Sequence, residues 1–353
     1  MNEKEQNVKV KTIEERIDAL SEVEFQKLVQ IMRKKLHAEN AVYLNSCVHC
    51  GLCAESCHYY LTDENVKSLP AYKLSLITKV FKNYFTKSGK FMPHWVDAQE
   101  LDREMIKEWI DVLFGRCSLC GRCTINCTIG INIAYLIMMA RGMLSEVNLI
   151  PAGLEGTVKT AIEKGNNMGI PQEEWIETLE WIEDELKDDL NDENARIPID
   201  KKGAKFLYVL NPREPMFFPM SLSAIAKIFH VAKEDWTFAS DYFDMTNYGL
   251  YTGKDELSAI MSERLVETME RLGCETLVLA ECGHGFNANR WEGPEWLKRK
   301  YTFQVKSILE IVAQYIHEGR IKLDPSKNKE PVTLHDPCNL VRYGGIVEEQ
   351  RYI

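Results

Sequence analysis

Two cysteine quartets with one spacing constrain this chain more than anything else in it. The first is Cys47, Cys50, Cys53 and Cys57, and the second is Cys117, Cys120, Cys123 and Cys127; together they use eight of eleven cysteines. Three thiolates at steps of three wrap one loop around a single [4Fe–4S] cluster. The fourth thiolate of such a quartet ligates the other cluster when two clusters share a domain. The spacing therefore assigns Cys47, Cys50, Cys53 and Cys127 to one cluster, and Cys117, Cys120, Cys123 and Cys57 to a second. Zinc is the plainer alternative and would make the chain a non-enzymatic scaffold. A zinc ribbon, however, spreads four ligands over two separate C-x2-C knuckles, whereas here three cysteines crowd each loop. Gly51 and Gly121, each after a second cysteine, let backbone approach a cluster closely. His58 and Thr128 stand where a proline commonly follows the fourth cysteine, a position that shapes the turn and ligates nothing.

The odd cysteine total argues against a disulfide scaffold. So does the start, MNEKEQNVKVKTIEER, which has no apolar core to act as a secretory signal. With 43 basic and 53 acidic residues the formal charge is −10, which disfavours nucleic acid as a partner. No apolar run approaches the roughly 18 residues a transmembrane helix needs, and Ile131–Ala140 is too short. The expected location is the cytoplasm, peripheral on the inner face of a membrane through a partner.

The expected fold is α+β: a helical two-cluster, ferredoxin-like domain followed by an α/β domain. Residues 1–40 read as N-terminal helices, with Thr12 as a cap and Ser21-x-x-Glu24 as a capping box ahead of Phe25, Leu28, Val29, Met32 and Leu36. Residues 41–200 hold the quartets. The insertion between them, 58–116, is longer than a compact ferredoxin allows; Pro70 opens one helix in it, and another runs roughly from Asp97 to Phe114. After a boundary near 195–203, the runs Phe206–Leu210, Trp236–Ala239, Thr276–Ala280 and Val332–Leu334 read as strands. They alternate with helices near Ser221–Ala232, Lys254–Leu272 and Phe303–His317, so 201–353 forms a largely parallel α/β layer. Residues 171–200 carry twelve acids and two bases. That is read first as a solvated helix face, and second as a docking surface for a basic partner.

Cys282 follows the third of these strands, in Ala280-Glu281-Cys282-Gly283-His284, and Cys338 lies in His335-Asp336-Pro337-Cys338-Asn339. Such strand ends are where α/β sheets bind ligands. Taken singly, each cysteine reads as a packing residue; taken together beside two clusters, they point to a redox site. Cys274, before a strand, reads as structural.

The quartets and the later His-Asp-Pro-Cys resemble the heterodisulfide-reductase-like family with cysteine-rich CCG domains. CVHCGLCAESCHYY, CSLCGRCTINC, Gly165-Asn-Asn-Met-Gly169, ECGHGF and HDPCNLVRYGGIVEEQRY are similar, within it, to the K-type subunits of Dsr membrane complexes of sulfur metabolism. The resemblance implies electrons from a membrane cytochrome-b-type, quinol-oxidising subunit, passed through two [4Fe–4S] clusters to a thiol–disulfide site. The implied acceptor is a disulfide or trisulfide on a small sulfur-carrier protein. The resemblance also implies that Cys282 and Cys338 match cysteines of a non-cubane [4Fe–4S] site. This sequence has no Cys-Cys-Gly and no late C-x2-C, and Ile353 lies fifteen residues after Cys338. The expectation is therefore an α/β domain incomplete at its C-terminus, holding both cubanes and inactive alone. The competing oxidoreductase reading is an iron–sulfur subunit of a glycolate-, lactate- or glycerol-phosphate-oxidising complex.

Overall fold

The computed structural model describes residues 12–353. Residues 1–11, which carry most of the signal-sequence argument, lie outside them. The chain is mostly helical with one small parallel sheet. Its contacts divide it into two units: residues up to Glu155 together with Tyr251–Lys254, and Gly156–Leu250 together with Asp255–Ile353.

In the first unit the expected caps form. Thr12 Oγ1 accepts from Glu15 N at 3.1 Å at the head of the Ile13–Asp18 helix. Ser21 and Glu24 close a reciprocal box on the Glu22–Lys35 helix, which buries Leu28 and Met32. Pro70 sits at the first position of the Pro70–Phe85 helix, where its missing N–H costs nothing. The helix expected from about Asp97 starts at Arg103. Asp97 has left-handed backbone, φ 54°, and Asp102 caps the helix by accepting from Met105 N at 2.8 Å. The Ile133–Ser145 helix is buried on nearly every side and packs against the Pro70–Phe85 and Glu22–Lys35 helices. Gly142 in it meets Gly253 backbone to backbone, so a side chain at either would strike the other. Ser145 Oγ donates to Thr252 O at 2.7 Å.

The second unit is built on four parallel strands: β1 (Phe206–Val209), β2 (Trp236–Thr237), β3 (Thr276–Leu279) and β4 (Gln304–Ser307). Their order is β2-β1-β3-β4, with Phe206 opposite both Trp236 and Thr276. β1 and β3 are buried at every residue, as the centre of a parallel sheet requires. The acidic segment 171–200, grouped in the sequence with the cysteine loops, packs here. Its Gln172–Leu190 helix buries Trp175, Leu179, Ile182 and Leu186, each gaining about 1.5–3 kcal/mol from burial. Trp175 stacks on Phe243 at 4.1 Å and donates to Ala239 O at 2.9 Å.

Two strand expectations are corrected. β4 was hidden inside the expected Phe303–His317 helix, because its residues Gln304 and Lys306 form a polar edge. The helix itself begins at Ile308, capped by Ser307. Val332–Leu334 is no strand: it is exposed and pairs with nothing among the described residues. A short apolar run flanked by Pro331 and Pro337 reads the same whether or not a neighbouring strand exists to pair with it.

Candidate functional site

The two cysteine loops of the first unit repeat one backbone path. His49 and Leu119, just before the second cysteine of each quartet, have φ 55°, and Gly51 and Gly121, just after it, have φ 83° and 72°. Each glycine caps a short helix, Leu52–Ser56 and Arg122–Ile125, and these two helices pack on each other. Glycine adopts this left-handed backbone without steric cost.

None of the eleven cysteines is joined in a disulfide. Cys57 lines the same pocket as Cys117, Cys120 and Cys123, so one thiol of the first loop faces three of the second. Burial pushes the Cys123 thiol up to about 12, with Cys117, Cys120, Cys53 and Cys57 adding to it. Burial raises Cys53 too, and Cys47 and Cys50 add to that shift. Crowded thiols of this kind ionise only against added positive charge. No group of three or more His, Cys, Asp or Glu side chains that would hold a single metal ion forms among the described residues.

Two buried cations stand beside this pocket. Lys73 lines it and donates to Arg116 O. Arg141 donates to Leu113 O at 2.9 Å, to Tyr251 O at 3.0 Å and to Cys117 O. Neither pairs with a carboxylate among the described residues. A buried cation without a counter-ion is costly, so their placement favours an anionic occupant. A thiolate-held iron–sulfur cluster is one, and this donor set fits it.

In the second unit, strand order reverses between β1 and β3. Such a switch point opens a crevice beyond the strand C-terminal ends. Cys282 lies there, three residues after β3, and is buried. Its Sγ is 3.2 Å from His284 Nδ1. Burial pushes the thiol up and drops His284 to about 4, so at neutral pH the pair is a neutral thiol beside a neutral imidazole. Tyr248 stacks obliquely on His284, ring centres 4.6 Å apart.

Cys338 does not follow a strand; it opens the one-turn helix Cys338–Tyr343. That helix packs on the Gly283–Asn287 helix behind Cys282. The approach is close enough that a Cβ on Gly283 would lie 2.9 Å from Leu340 N. The structure thus brings the Cys282 and Cys338 segments together. Asn339 Nδ2 donates to Cys338 Sγ at 3.5 Å. Cys274 lies at the opposite end of β3, is buried and has its thiol pushed up to about 11 by that burial. It stands apart from this edge. Two thiols and an imidazole do not supply the four-thiolate set of a further [4Fe–4S] cluster.

Several groups at this edge were missed in the sequence. Glu214, five residues past β1, hydrogen-bonds Glu281 and Ser221; burial and then the Glu281 charge push its carboxyl up. Asp244 is buried, accepts from Asn167 N and Thr246 N, and rises to about 7 through burial. Asn167 belongs to the Gly165–Gly169 turn, which is thereby locked to the 244–246 loop. The rule that singled out Cys282, position after a buried strand, also applies to Glu214.

Comparison with known proteins places these features. Residues 43–131 match the 4Fe–4S dicluster domain. The chain is 29% identical over 350 residues to the Hdr-like menaquinol oxidoreductase iron–sulfur subunit of Archaeoglobus profundus, covering 88% of this chain and 62% of that protein. A relative from Archaeoglobus fulgidus, named as iron–sulfur subunit 2, gives the same identity and coverage. The D-type subunit of the dihydromethanophenazine:CoB–CoM heterodisulfide reductase of Methanosarcina mazei is 25% identical, over 93% of this chain and 76% of its own. The chain thus spans about three fifths of the length of the first two relatives. No solved structure matches. In these relatives and in the dicluster segment, the chain is similar to heterodisulfide-reductase-like iron–sulfur proteins.

Proposed function

We propose that the chain is the iron–sulfur electron-transfer subunit of a heterodisulfide-reductase-like, membrane-associated complex. It holds two [4Fe–4S] clusters and delivers electrons from a quinol-oxidising cytochrome-b-type partner to a thiol–disulfide site around Cys282 and Cys338. The acceptor is a disulfide or trisulfide on a small sulfur-carrier protein. The names of the relatives support the quinol side and the disulfide side, and weigh against the glycolate-type alternative. No helix among the described residues is long and apolar enough to cross a membrane.

The observation that carries this reading is the pocket where Cys57 joins Cys117, Cys120 and Cys123 beside Lys73. It supports crossed ligation, with Cys57 given to the second loop's cluster and Cys127 to that of Cys47, Cys50 and Cys53. When bound, such clusters accept and release electrons one at a time. The residues of this chain do the rest. Lys73 and Arg141 hold positive charge against the second cluster site. At the sheet edge, reducing one disulfide to two thiols consumes two electrons and two protons. His284 Nδ1, 3.2 Å from Cys282 Sγ, orients the thiol by hydrogen bonding.

The test is metal and sulfide content with EPR of anaerobically purified, reduced protein. The reading requires about eight irons and eight sulfides per chain, and Cys53→Ser lowers this by nearly one cluster. Stoichiometric zinc in place of iron overturns it.

A further inference from the structure

Between Glu64 and Asp97 the sequence holds six lysines and no acid, in a chain whose net charge is −10. Four of the lysines are engaged. Lys67 pairs with Glu108 at 2.6 Å, Lys73 donates to Arg116 O, Lys79 pairs with Asp97 at 3.3 Å, and Lys82 donates to Val96 O at 3.1 Å. Lys87 and Lys90 are exposed on the short Lys87–Phe91 helix. Directly after them come Phe91, Met92 and Trp95, which are 83%, 54% and 86% exposed.

These side chains are held out by a fixed frame. Thr86 Oγ1 accepts from Gly89 N at 3.0 Å and donates to Lys82 O at 2.8 Å. Met92 N bonds Ser88 O at 2.8 Å, and Trp95 N bonds Met92 O at 3.1 Å. Gln99 N bonds Lys79 O at 3.2 Å, and Lys82 and Lys79 tie Val96 and Asp97 back to the Pro70–Phe85 helix. Gly89 lies so close to Lys82 O that any side chain there would collide with it. The tip therefore presents three large apolar groups to solvent from a braced backbone.

Single exposed apolar residues need no explanation, but a contiguous, braced set marks an interaction surface. Its composition selects the partner. Trp and Phe favour the boundary between lipid headgroups and acyl chains, and flanking lysines favour anionic headgroups. Apolar anchors with lysines beside them are how non-spanning elements seat on a bilayer surface. We infer that the Lys87–Trp95 tip is a lipid-contact element, which seats the chain on an anionic membrane by inserting Phe91, Met92 and Trp95 between headgroups.

The experiment is co-sedimentation of the full, iron-loaded chain with phosphatidylcholine vesicles, with and without phosphatidylglycerol. The chain binds the anionic vesicles and binds neutral ones more weakly. Phe91→Ser with Trp95→Ser lowers binding about tenfold or more while iron content and thermal unfolding stay unchanged. Lys87→Glu with Lys90→Glu lowers binding to anionic vesicles only. No sedimentation with either vesicle, or equal binding by the variants, overturns the inference. So does a Phe91/Trp95 variant that still binds vesicles but no longer co-purifies with a membrane subunit, since the tip would then be a protein-docking face.

Discussion

Asn126 Nδ2 donates to the carbonyl oxygen of Leu52 at 2.6 Å, tying the end of the second cysteine loop to the start of the first loop's helix. The tie sits one residue before Cys127 and one before Cys53, so it bears on both proposed ligand sets. Asn126→Ala loses one largely exposed hydrogen bond, and stability falls by about 1 kcal/mol. Cluster loss on exposure to oxygen becomes faster in the variant. Thermal unfolding and the decay of iron absorbance read the two effects separately.

The sequence shows the two loops clearly because cluster ligands need a fixed spacing, which the cysteines at 47–57 and 117–127 display directly. Caps at Thr12, Ser21 and Pro70 are legible for the same reason: they act over three or four residues. What the sequence conceals depends on distant partners. Nothing near Gly253 announces that Tyr251–Lys254 leaves its neighbours to pack on Gly142 and Ser145. Val332–Leu334 looks like a strand because an apolar run carries no record of whether a ladder awaits it. Glu214 and Glu281 are 67 positions apart in sequence, and only the β1–β3 pairing brings them into hydrogen-bond contact.

Arg141 is the main buried cation of the first unit, with its guanidinium also over the Phe114 ring at 4.8 Å. Arg141→Met leaves the carbonyls of Leu113, Cys117 and Tyr251 without their donor. At roughly 1–3 kcal/mol per buried unpaired group, the loss is about 3 kcal/mol or more. Arg141→Lys recovers only part of it, because an ammonium cannot reproduce the planar fork. Urea midpoints of the three proteins, all fully loaded with iron, check the order.

Asp244 makes stability depend on pH with a sign opposite to that of a salt-bridged carboxylate. Its folded pKa, about 7, lies above the ordinary 3.8 because the carboxyl is buried. Between those values the native state holds the proton and the unfolded state does not. This group's contribution is therefore complete below about pH 4 and falls away as pH rises to about 7. At about 1.4 kcal/mol per pH unit, the span from 3.8 to about 7 is on the order of 4 kcal/mol. Asp244→Asn removes that slope, so the variant gains on the natural protein between pH 5 and pH 8. Denaturant titrations at the two pH values measure the difference.

The acidic face of the Gln172–Leu190 helix contributes little to folding. Glu180, Asp184 and Asp188 are exposed; of the three, Asp184 forms a surface pair, with Lys187 at 3.1 Å. Lysine at any one of them changes stability by about 0.5 kcal/mol or less. Leu179→Ala, on the opposite face, costs about 2–5 kcal/mol. If the face also docks a basic partner, the charge reversals weaken that binding and added salt weakens it in the natural protein. Unfolding curves and a salt series separate the two roles.

Crossed ligation is tested most directly by EPR of reduced, anaerobic protein carrying Cys57→Ser, Cys120→Ser or Cys50→Ser. With Cys57 facing the pocket of Cys117, Cys120 and Cys123, Cys57→Ser will perturb the signal that Cys120→Ser perturbs and spare the one altered by Cys50→Ser. If Cys57→Ser instead groups with Cys50→Ser, each quartet is self-contained and the account of the paired loops is wrong.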